Sequence, residues 1–474
     1  MILTKKTEDR KKGSRRILFV LVWIGLWQLA AVLIHSSIIF SSPFETAKAL
    51  LSLLPTWEFW ESVFSSSLRI ILGFLGAFFL ASLIGTASFF LPSLCDFLSP
   101  AVILMKSIPV ASFVILALIW IGSENLSVFI SFTVVFPMIY EAALSGLAGT
   151  DSSLLEMADV FHLPWLRRLK AIYLPSLLPY LAVSCRTAIG MGIKSGVAAE
   201  VIGIPAHSIG EQLYTAKIYL ETADLFAWTA VIIVITWLLE QSLLILLRIC
   251  CEKSAERQIK NPAVTTEQIT TEKLKNKFWR DRPGEITVQN LYRSYEKQQV
   301  LSGVSLSVKP SEICCLMAPS GSGKTTLFRI LLGLEKADRG SVSVPPRLGA
   351  VFQENRLIEH LSPVENIRLV LPSASRAELY GYLITVPTEL LPNESLNRPV
   401  STLSGGMKRR CALARALLSH SDALILDEPF SGLDVDTKRQ TIAFIKKHQR
   451  GRALLLSTHS EEDAVLLGAK ITTL

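Results

Sequence analysis

The sequence predicts two domains of different fold class: an all-α domain of six transmembrane helices, followed by an α/β domain. The chain has 474 residues, 50% of them hydrophobic and 19% charged, which is more apolar than an ordinary soluble enzyme and longer than one domain. Two uncharged stretches, Ile17–Ile34 and Ile70–Cys95, are long enough to cross a bilayer, which takes about 20 helical residues. From Glu285 onward, short β-branched runs alternate with helical patterns, as in α/β domains. The predicted division is a basic tail (1–16), a membrane domain (17–251), a polar linker (252–284) and an α/β domain (285–474).

Four more apolar segments complete the six predicted spans: Ala101–Ile121, Leu126–Leu144, Leu177–Val197 and Phe226–Leu247. A secretory signal is the alternative for the first span, but no convincing small-residue cleavage site follows it. The tail carries seven basic and two acidic residues, whereas the loop after the first span has Lys48 as its single basic residue. Because basic residues resist translocation, both termini of a six-span chain are predicted to be cytoplasmic.

The net charge of +8 lies mostly in this tail, so it sets topology and does not indicate a nucleic-acid groove. Seven cysteines, odd in number and without a CxxC pair, suggest neither a disulfide framework nor a zinc site. We interpret them as reduced packing residues.

A glycine-rich turn follows the apolar run Ile313–Met317 and precedes a helical pattern. Such a turn directs backbone N–H groups and a helix N-terminus at phosphates, while Lys324 reaches the β- and γ-phosphate oxygens and Thr325 is placed for Mg²⁺. Ala318 stands where the full pattern has its first glycine. The predicted ATP-binding residues of the turn are Ser320, Gly321, Ser322, Gly323, Lys324, Thr325 and Thr326.

A second apolar strand, Ala423–Leu426, ends in two acids. Asp427 would orient Mg²⁺ and Glu428 would polarise the attacking water. A capped strand end at the surface is the alternative for the acids alone. Together with the glycine-rich turn, they predict a nucleotide triphosphatase.

The region 285–474 resembles the ABC ATPases, because five further motifs occur in that family's order. They are Tyr295 for adenine stacking, the Q-loop residue Gln353, the signature Ser404-Gly405-Gly406 followed by Met407, the D-loop residue Asp434 and the switch residue His459. Taken singly, His459 and Gln353 would be ordinary polar residues. The resemblance implies that two ATPase domains pair head to tail, so that Ser404 of one chain caps the γ-phosphate held by Lys324 of the other. It assigns catalysis to Glu428, His459 and Lys324, and metal contacts to Thr325, Gln353 and Asp427.

The segment between spans four and five resembles the coupling loop of bacterial ABC importer permeases. The matching positions are Glu156, Ala158, His162, Leu174 and Pro175. His162 stands where the family usually has glycine, so the turn there is expected to differ. An amphipathic loop helix with solvated charges is the alternative.

Three basic residues within or beside the spans, Lys106, Arg186 and Lys194, would make a translocation path cationic. The surrounding helices resemble permeases for nitrate, sulfonates and taurine. A cationic path suits an anionic or zwitterionic solute. For Arg186 and Lys194, the alternative is that they snorkel to the interfaces or pair with Glu141, Glu200 or Glu240.

The resemblance implies an ATP-driven importer in a bacterial cytoplasmic membrane, with permease and ATPase fused. It works with ATP and Mg²⁺, with membrane lipid around it, as a homodimer or paired with a related half-transporter. The resemblance implies an extracytoplasmic solute-binding protein as a further partner. It implies no nucleic-acid partner. An exporter and a membrane-anchored regulatory ATPase are the alternatives. Sulfonates, taurine, nitrate, bicarbonate and vitamin precursors all stay open as solutes.

Overall fold

A computed structural model of the chain describes residues 2–36, 38–259, 283–296, 298–319, 321–371 and 386–474. Contacts divide it into two compact units. The first consists of Met1–Gly149 and Ser176–Ile249, and the second of Thr150–Pro175 and Cys250–Leu474. The segment Thr150–Pro175, here called the coupling segment, therefore belongs to the same unit as the α/β fold.

The first unit is helical throughout its described secondary structure. Its helices are α1 (Ile2–Ile34), α2 (Pro43–Leu53), α3 (Trp57–Phe90), α4 (Pro92–Ser107), α5 (Val110–Ile121), α6 (Leu126–Ala148), α9 (Leu174–Gly203), α10 (Ile209–Ile218) and α11 (Thr222–Ile259). Helix α11 continues eight residues into the predicted linker, and the rest of that linker up to residue 282 lies outside the described residues.

Helices α3 and α6 pack closely because small residues line their contact. A Cβ added at Gly73 would lie 2.3 Å from the carbonyl oxygen of Val128, and one at Gly85 would lie 2.8 Å from the Cβ of Ala143. Glycine at these two positions allows the backbones to approach, as small residues do between membrane helices.

Four described helices are long and apolar enough to cross a membrane: Trp57–Phe90, Leu126–Ala148, Trp165–Gly203 and Thr222–Leu243. The apolar part of α1, Leu18–Ile34, is shorter, and α4 with α5 qualifies only as a bent pair. Of the six predicted apolar segments, 126–144 and 177–197 thus lie wholly within such helices, as do most of 70–95 and of 226–247.

Two predicted spans need correction at prolines. The span predicted over 101–121 is divided between α4 and α5, which meet at an angle of 108°. Ile108 is extended (φ −73°, ψ 126°) because Pro109 follows it, and a residue before proline is driven out of the α conformation. The stretch Ile70–Cys95 is likewise interrupted at Leu91, which precedes Pro92.

The second unit contains two sheets. A three-stranded antiparallel sheet has the order β2-β1-β4, and a five-stranded parallel sheet has the order β5-β6-β7-β3-β8. The strands are β1 (Ile286–Tyr295), β2 (Gln298–Val308), β3 (Ile313–Met317), β4 (Arg339–Ser343), β5 (Leu348–Val351), β6 (Ala423–Leu426), β7 (Ala453–Ser457) and β8 (Lys470–Thr473). Strands β5 and β6 are buried along their whole length, as expected for a parallel sheet covered on both faces.

The helices of this unit are α12 (Lys324–Leu331), α13 (Pro363–Leu369), α14 (Gly405–Leu418), α15 (Val435–His448) and α16 (Glu461–Leu467), with short 3₁₀ turns at Pro387–Glu389, Asn393–Ser395 and Val400–Thr402. The coupling segment adds α7 (Ser152–Val160), α8 (Trp165–Arg168) and a π-helical turn (Leu169–Tyr173) that runs into α9. In the parallel sheet, β3 lies between β7 and β8, and β6 neighbours β7. The loops after β3, β6 and β7 therefore meet at one edge, where ligands of parallel α/β sheets bind.

Candidate ATP-hydrolysing site and coupling segment

The turn after β3 has the geometry of a phosphate-binding loop. Gly321 and Gly323 have φ of 82° and 95°, a left-handed region that favours glycine. A Cβ at Gly323 would also lie 2.9 Å from the carbonyl oxygen of Val300. Ala318 is not among the described residues with positive φ, so its methyl group requires no backbone strain. Ser320 lies outside the described residues.

Polar side chains in this turn are arranged for an anionic ligand. Lys324, the first residue of α12, is folded over the loop, and its Nζ donates to the carbonyl oxygens of Ala318 and Pro319. Ser322 Oγ is buried and has no hydrogen-bond partner among the described residues. A cationic amine held by weak carbonyl acceptors and an unpartnered hydroxyl both fit a nucleotide phosphate, so the residues present suit ATP.

The two acids after β6 are connected to the phosphate-binding loop and to β7. Asp427 accepts one hydrogen bond from Thr325 Oγ1 at 3.3 Å and another from Ser457 Oγ at 2.7 Å. Burial raises the pKa of Asp427, while the bonds from Ser457 and Thr325 oppose that shift. Its backbone N–H donates to Val351 O, which fixes the end of β6 beside that of β5.

Glu428 combines a strained backbone with a histidine partner. Its φ of 48° is left-handed, which is costly for a non-glycine residue and is found where a function requires it. The backbone N–H of Glu428 donates to Ser457 Oγ at 2.9 Å. His459 Nε2 lies 2.9 Å from Glu428 Oε1. The structure thus brings together two residues that the sequence assigned separately to catalysis.

Ser457 is a site residue that the sequence reasoning missed. It is fully buried, and one hydroxyl group donates to Asp427 and accepts from Glu428, so it sets the relative position of the two acids. The sequence feature that could have pointed to it is its position as a polar residue at the end of the otherwise apolar strand β7.

A cavity beside the loop brings together the three predicted metal contacts. Thr325, Gln353 and Asp427 all line it. They offer a hydroxyl, an amide and a carboxylate oxygen, the hard donors that Mg²⁺ prefers. The donor set thus fits Mg²⁺.

Tyr295, predicted to stack on adenine, ends β1 and is 42% exposed. Its hydroxyl donates to Glu335 Oε1 at 2.5 Å, and the guanidinium carbon of Arg293 lies 4.9 Å from the ring centre. The ring is therefore oriented by two neighbours.

The signature and D-loop residues stand at helix N-termini. Ser404 caps α14, where its Oγ accepts from Met407 N–H at 3.3 Å, and Asp434 caps α15 in the same way through Thr437. The bonds from Thr437 lower the pKa of Asp434. Gly405 and Gly406 form the first turn of α14.

The coupling segment contacts the helix that begins at Lys324 through Glu156. Arg329 of α12 donates two hydrogen bonds to the Glu156 carboxylate, at 2.9 and 3.0 Å. Arg356, just after Gln353, donates a third at 2.7 Å. The hydrogen bonds from Arg329, and then the charge of Arg356, lower the pKa of Glu156. One carboxylate thus connects the segment to both the phosphate-loop helix and the Gln353 loop.

Apolar packing supports the same contact. Met157 and Ala158 of α7 and Ile172 of the π-helical turn are buried in one cluster with Phe352 and Ile358. Leu174 and Pro175 begin α9. They are the boundary of the packed segment.

His162 adopts the backbone conformation expected of the glycine that it replaces. Its φ is 49°, and its Nε2 lies 3.0 Å from Pro346 O. This left-handed conformation favours glycine, so the imidazole occupies a backbone position that suits the usual residue better. The imidazole adds a hydrogen bond that glycine lacks.

The three basic residues of the membrane unit differ in their surroundings. Arg186 pairs with Glu240 at 2.5 Å, as in the alternative raised from the sequence. Lys106 pairs with Glu141 at 2.7 Å, a partner that the sequence did not predict for it. Lys194 is exposed in the described chain and forms no ion pair with a described carboxylate. Two of the three charges are thus locally balanced.

Comparisons with known proteins agree with both halves of the sequence reasoning. Residues 301–431 match the family described as "ABC transporter", and residues 77–250 match "Binding-protein-dependent transport system inner membrane component". An "Aliphatic sulfonates import ATP-binding protein" of Pseudomonas syringae pv. syringae is 38% identical over 196 residues, which are 40% of this chain and 69% of that protein. A protein of the same description from Frankia alni is 40% identical over 194 residues, with 40% and 77% covered.

Among solved structures, the dimeric post-hydrolysis state of the ATP-binding cassette MJ0796 bound to ADP and Pi is similar to this chain. The TM-score is 0.37 at 26% sequence identity, over 40% of this chain and 94% of that one.

Proposed function

We propose that this chain imports a small anionic or zwitterionic solute by hydrolysing ATP. It belongs to the ABC transporter family and carries an importer-type permease with an ABC ATPase. The observation that carries this proposal is the carboxylate of Glu156, held by Arg329 and Arg356. It joins a permease segment of importer type directly to the helix and loop that handle the nucleotide.

Hydrolysis follows from the geometry of the acid pair. Lys324 binds the β- and γ-phosphates, and Gly321 and Gly323 allow the backbone to surround them. Glu428 orients and polarises the attacking water, while His459 holds Glu428 in place. Bound Mg²⁺, held by Thr325, Gln353 and Asp427, would neutralise developing phosphate charge. Ser404, Gly405 and Gly406 would complete this site from the partner copy, so the working unit is a homodimer with two ATP sites.

The solute class is inferred from two features. The relatives of the ATPase are described as importing aliphatic sulfonates. In the membrane unit, Lys194 adds an exposed positive charge, whereas Lys106 and Arg186 are offset by carboxylates. A sulfonate, or a zwitterion such as taurine, suits such a path better than a cation does. We place the chain in a bacterial cytoplasmic membrane with both termini inside, where an external binding protein delivers the solute.

Uptake into proteoliposomes tests the proposal. The neighbouring genes are first searched for a solute-binding protein. That protein is screened by thermal shift against alkanesulfonates, taurine, nitrate and vitamin precursors, and the radiolabelled hit is used for uptake. ATP on the cytoplasmic side is expected to drive accumulation with the wild type but not with Glu428→Gln. Solute movement in the opposite direction would indicate an exporter. ATP hydrolysis without any solute movement would indicate a regulatory ATPase.

A further inference from the structure

A buried arginine lies between the Gln353 loop and the acid pair. Arg409 belongs to α14, which begins directly after Ser404, and its side chain is 3% exposed. Strands β5 and β6 are paired neighbours that end at Val351 and Leu426, so the two loops leave the sheet side by side. The guanidinium group occupies the gap between them.

Three of its hydrogen bonds go to the Gln353 loop and two go to the backbone of the acid pair. Nη1 donates to Phe352 O at 2.6 Å and to Gln353 O at 3.3 Å. Nη2 donates to Asp427 O and to Glu428 O, the latter at 2.6 Å. The guanidinium group is planar and its nitrogen atoms have a fixed geometry. It therefore sets the distance between the backbone of the Gln353 loop and the backbone of Asp427 and Glu428.

This charge is not part of an ordinary ion pair. No carboxylate of the described residues lies within 4.0 Å of its nitrogen atoms, and its other partners are carbonyl and amide oxygens. Burial lowers the pKa of Arg409 to about 10, so it stays protonated at neutral pH. Five oxygen acceptors satisfy this buried cation, and the charges of Asp427 and Glu428 offset part of the cost of its burial.

A second arginine of α14 holds the far end of the same loop. Arg415 is fully buried and donates to the backbone carbonyl oxygens of Arg356 and Asn355. The loop from Phe352 to Arg356 is thus fixed to one helix at both ends, with the acids attached only at the Arg409 end.

We infer that Arg409 is a positioning residue for ATP hydrolysis, whose guanidinium fixes the Gln353 loop relative to Asp427 and Glu428. The inference rests on hydrolysis at this site and not on import. Lysine keeps the charge but is a single point donor, so it cannot bridge Phe352 and Asp427 as two nitrogen atoms do.

The test compares Arg409→Lys with Lys408→Arg in the full-length protein in nanodiscs. Lys408 neighbours Arg409 in α14 but pairs with Glu359, which is 67% exposed, so its variant is the matched control. For Arg409→Lys we expect kcat to fall about tenfold or more with KM for ATP within about twofold, because charge-assisted bonds at the acids are lost while phosphate binding is kept. Lys408→Arg should match the wild type.

Hydrogen exchange of the nucleotide-free protein gives a readout independent of turnover. Backbone amides of residues 351–356 and 426–428 should exchange faster in Arg409→Lys, with the exchange of β7 and α15 unchanged. If Arg409→Lys fails to fold, Arg409→Gln, which is shorter and neutral, takes its place. A wild-type kcat, or a raised KM with unchanged kcat, or faster exchange spread over the whole unit, overturns the inference. Absence of solute uptake by the wild type would refute import and leave this result standing.

Discussion

Replacing Glu156 by alanine should loosen the coupling segment from the ATPase fold. The change removes the one acceptor shared by Arg329 and Arg356. Arg329 keeps its ion pair with Glu335 at 3.5 Å, whereas Arg356 loses its carboxylate partner. The apolar cluster around Met157 stays intact. The perturbation is therefore confined to the electrostatic part of the contact.

The magnitude follows from the burial of the three side chains. Glu156 is 28% exposed, Arg329 33% and Arg356 12%, so the cluster is neither at the surface nor fully desolvated. Exposed pairs contribute up to about 1 kcal/mol, and removing one partner of a buried pair costs about 3–5 kcal/mol. An intermediate cost of about 2 kcal/mol corresponds to roughly a 30-fold change in the opening equilibrium.

Hydrogen exchange measures this opening directly. In the full-length, nucleotide-free protein, amides of α7 should exchange about 30-fold faster in Glu156→Ala than in the wild type, because exchange reports local opening. Asp159→Asn is the control within the same helix. Its pair with Arg168 is exposed at the aspartate (61%), so we expect less than about a fivefold change.

The stabilising contribution of Glu156 depends on pH in a defined direction. The pKa of Glu156 is lowered below its usual 4.5, so its contribution is complete above that value and is lost as the pH falls through the folded-state pKa. The difference between wild type and Glu156→Ala should therefore be constant from pH 6 to pH 8. Equal effects of Glu156→Ala and Asp159→Asn, or a change of less than about threefold in Glu156→Ala, would refute the reasoning.

Three further substitutions test other parts of the site. Glu428→Gln should still bind MgATP but release phosphate at least about 100-fold more slowly, and near-normal phosphate release would remove its assignment as the water-orienting group. Tyr295→Ala should raise KM for ATP by about three- to tenfold at unchanged kcat, because an aromatic stacking contact contributes about 0.5–1.5 kcal/mol, with Tyr295→Phe as control. His162→Val should lower the unfolding free energy of the ATPase unit by about 1–2 kcal/mol, because its φ of 49° suits no β-branched residue, while His162→Gly should not; equal losses would show that the hydrogen bond to Pro346, not the backbone, matters.

Sequence order predicted residues for one nucleotide site, and the parallel topology brings the strands that these residues follow to one edge of the sheet. Lys324, Asp427 and His459 follow β3, β6 and β7, which are neighbours in the sheet. The same reasoning missed Ser457, because a serine ending an apolar strand carries no motif, and its two hydrogen bonds depend on the pairing of β6 with β7.

Contacts between distant segments, and the directions of the helices, were harder to predict from the sequence. The coupling segment was predicted from its own spacing, but Arg329 and Arg356 have no local feature that points to Glu156. In the membrane unit, apolar length predicts how much chain can cross a bilayer and not where it bends. Proline supplies that information, since Pro92 and Pro109 mark the two interruptions.

The position of the coupling segment has a consequence for biosynthesis. Glu156 lies 173 residues before Arg329 and 200 before Arg356 in the chain. At about 5–20 residues per second, a ribosome needs roughly 10–40 s to make the partners after the segment. During that interval Met157, Ala158 and Ile172 lack the surface that buries them. The nascent chain therefore exposes an apolar patch for tens of seconds, and chaperone demand should peak between synthesis of the segment and completion of the Gln353 loop.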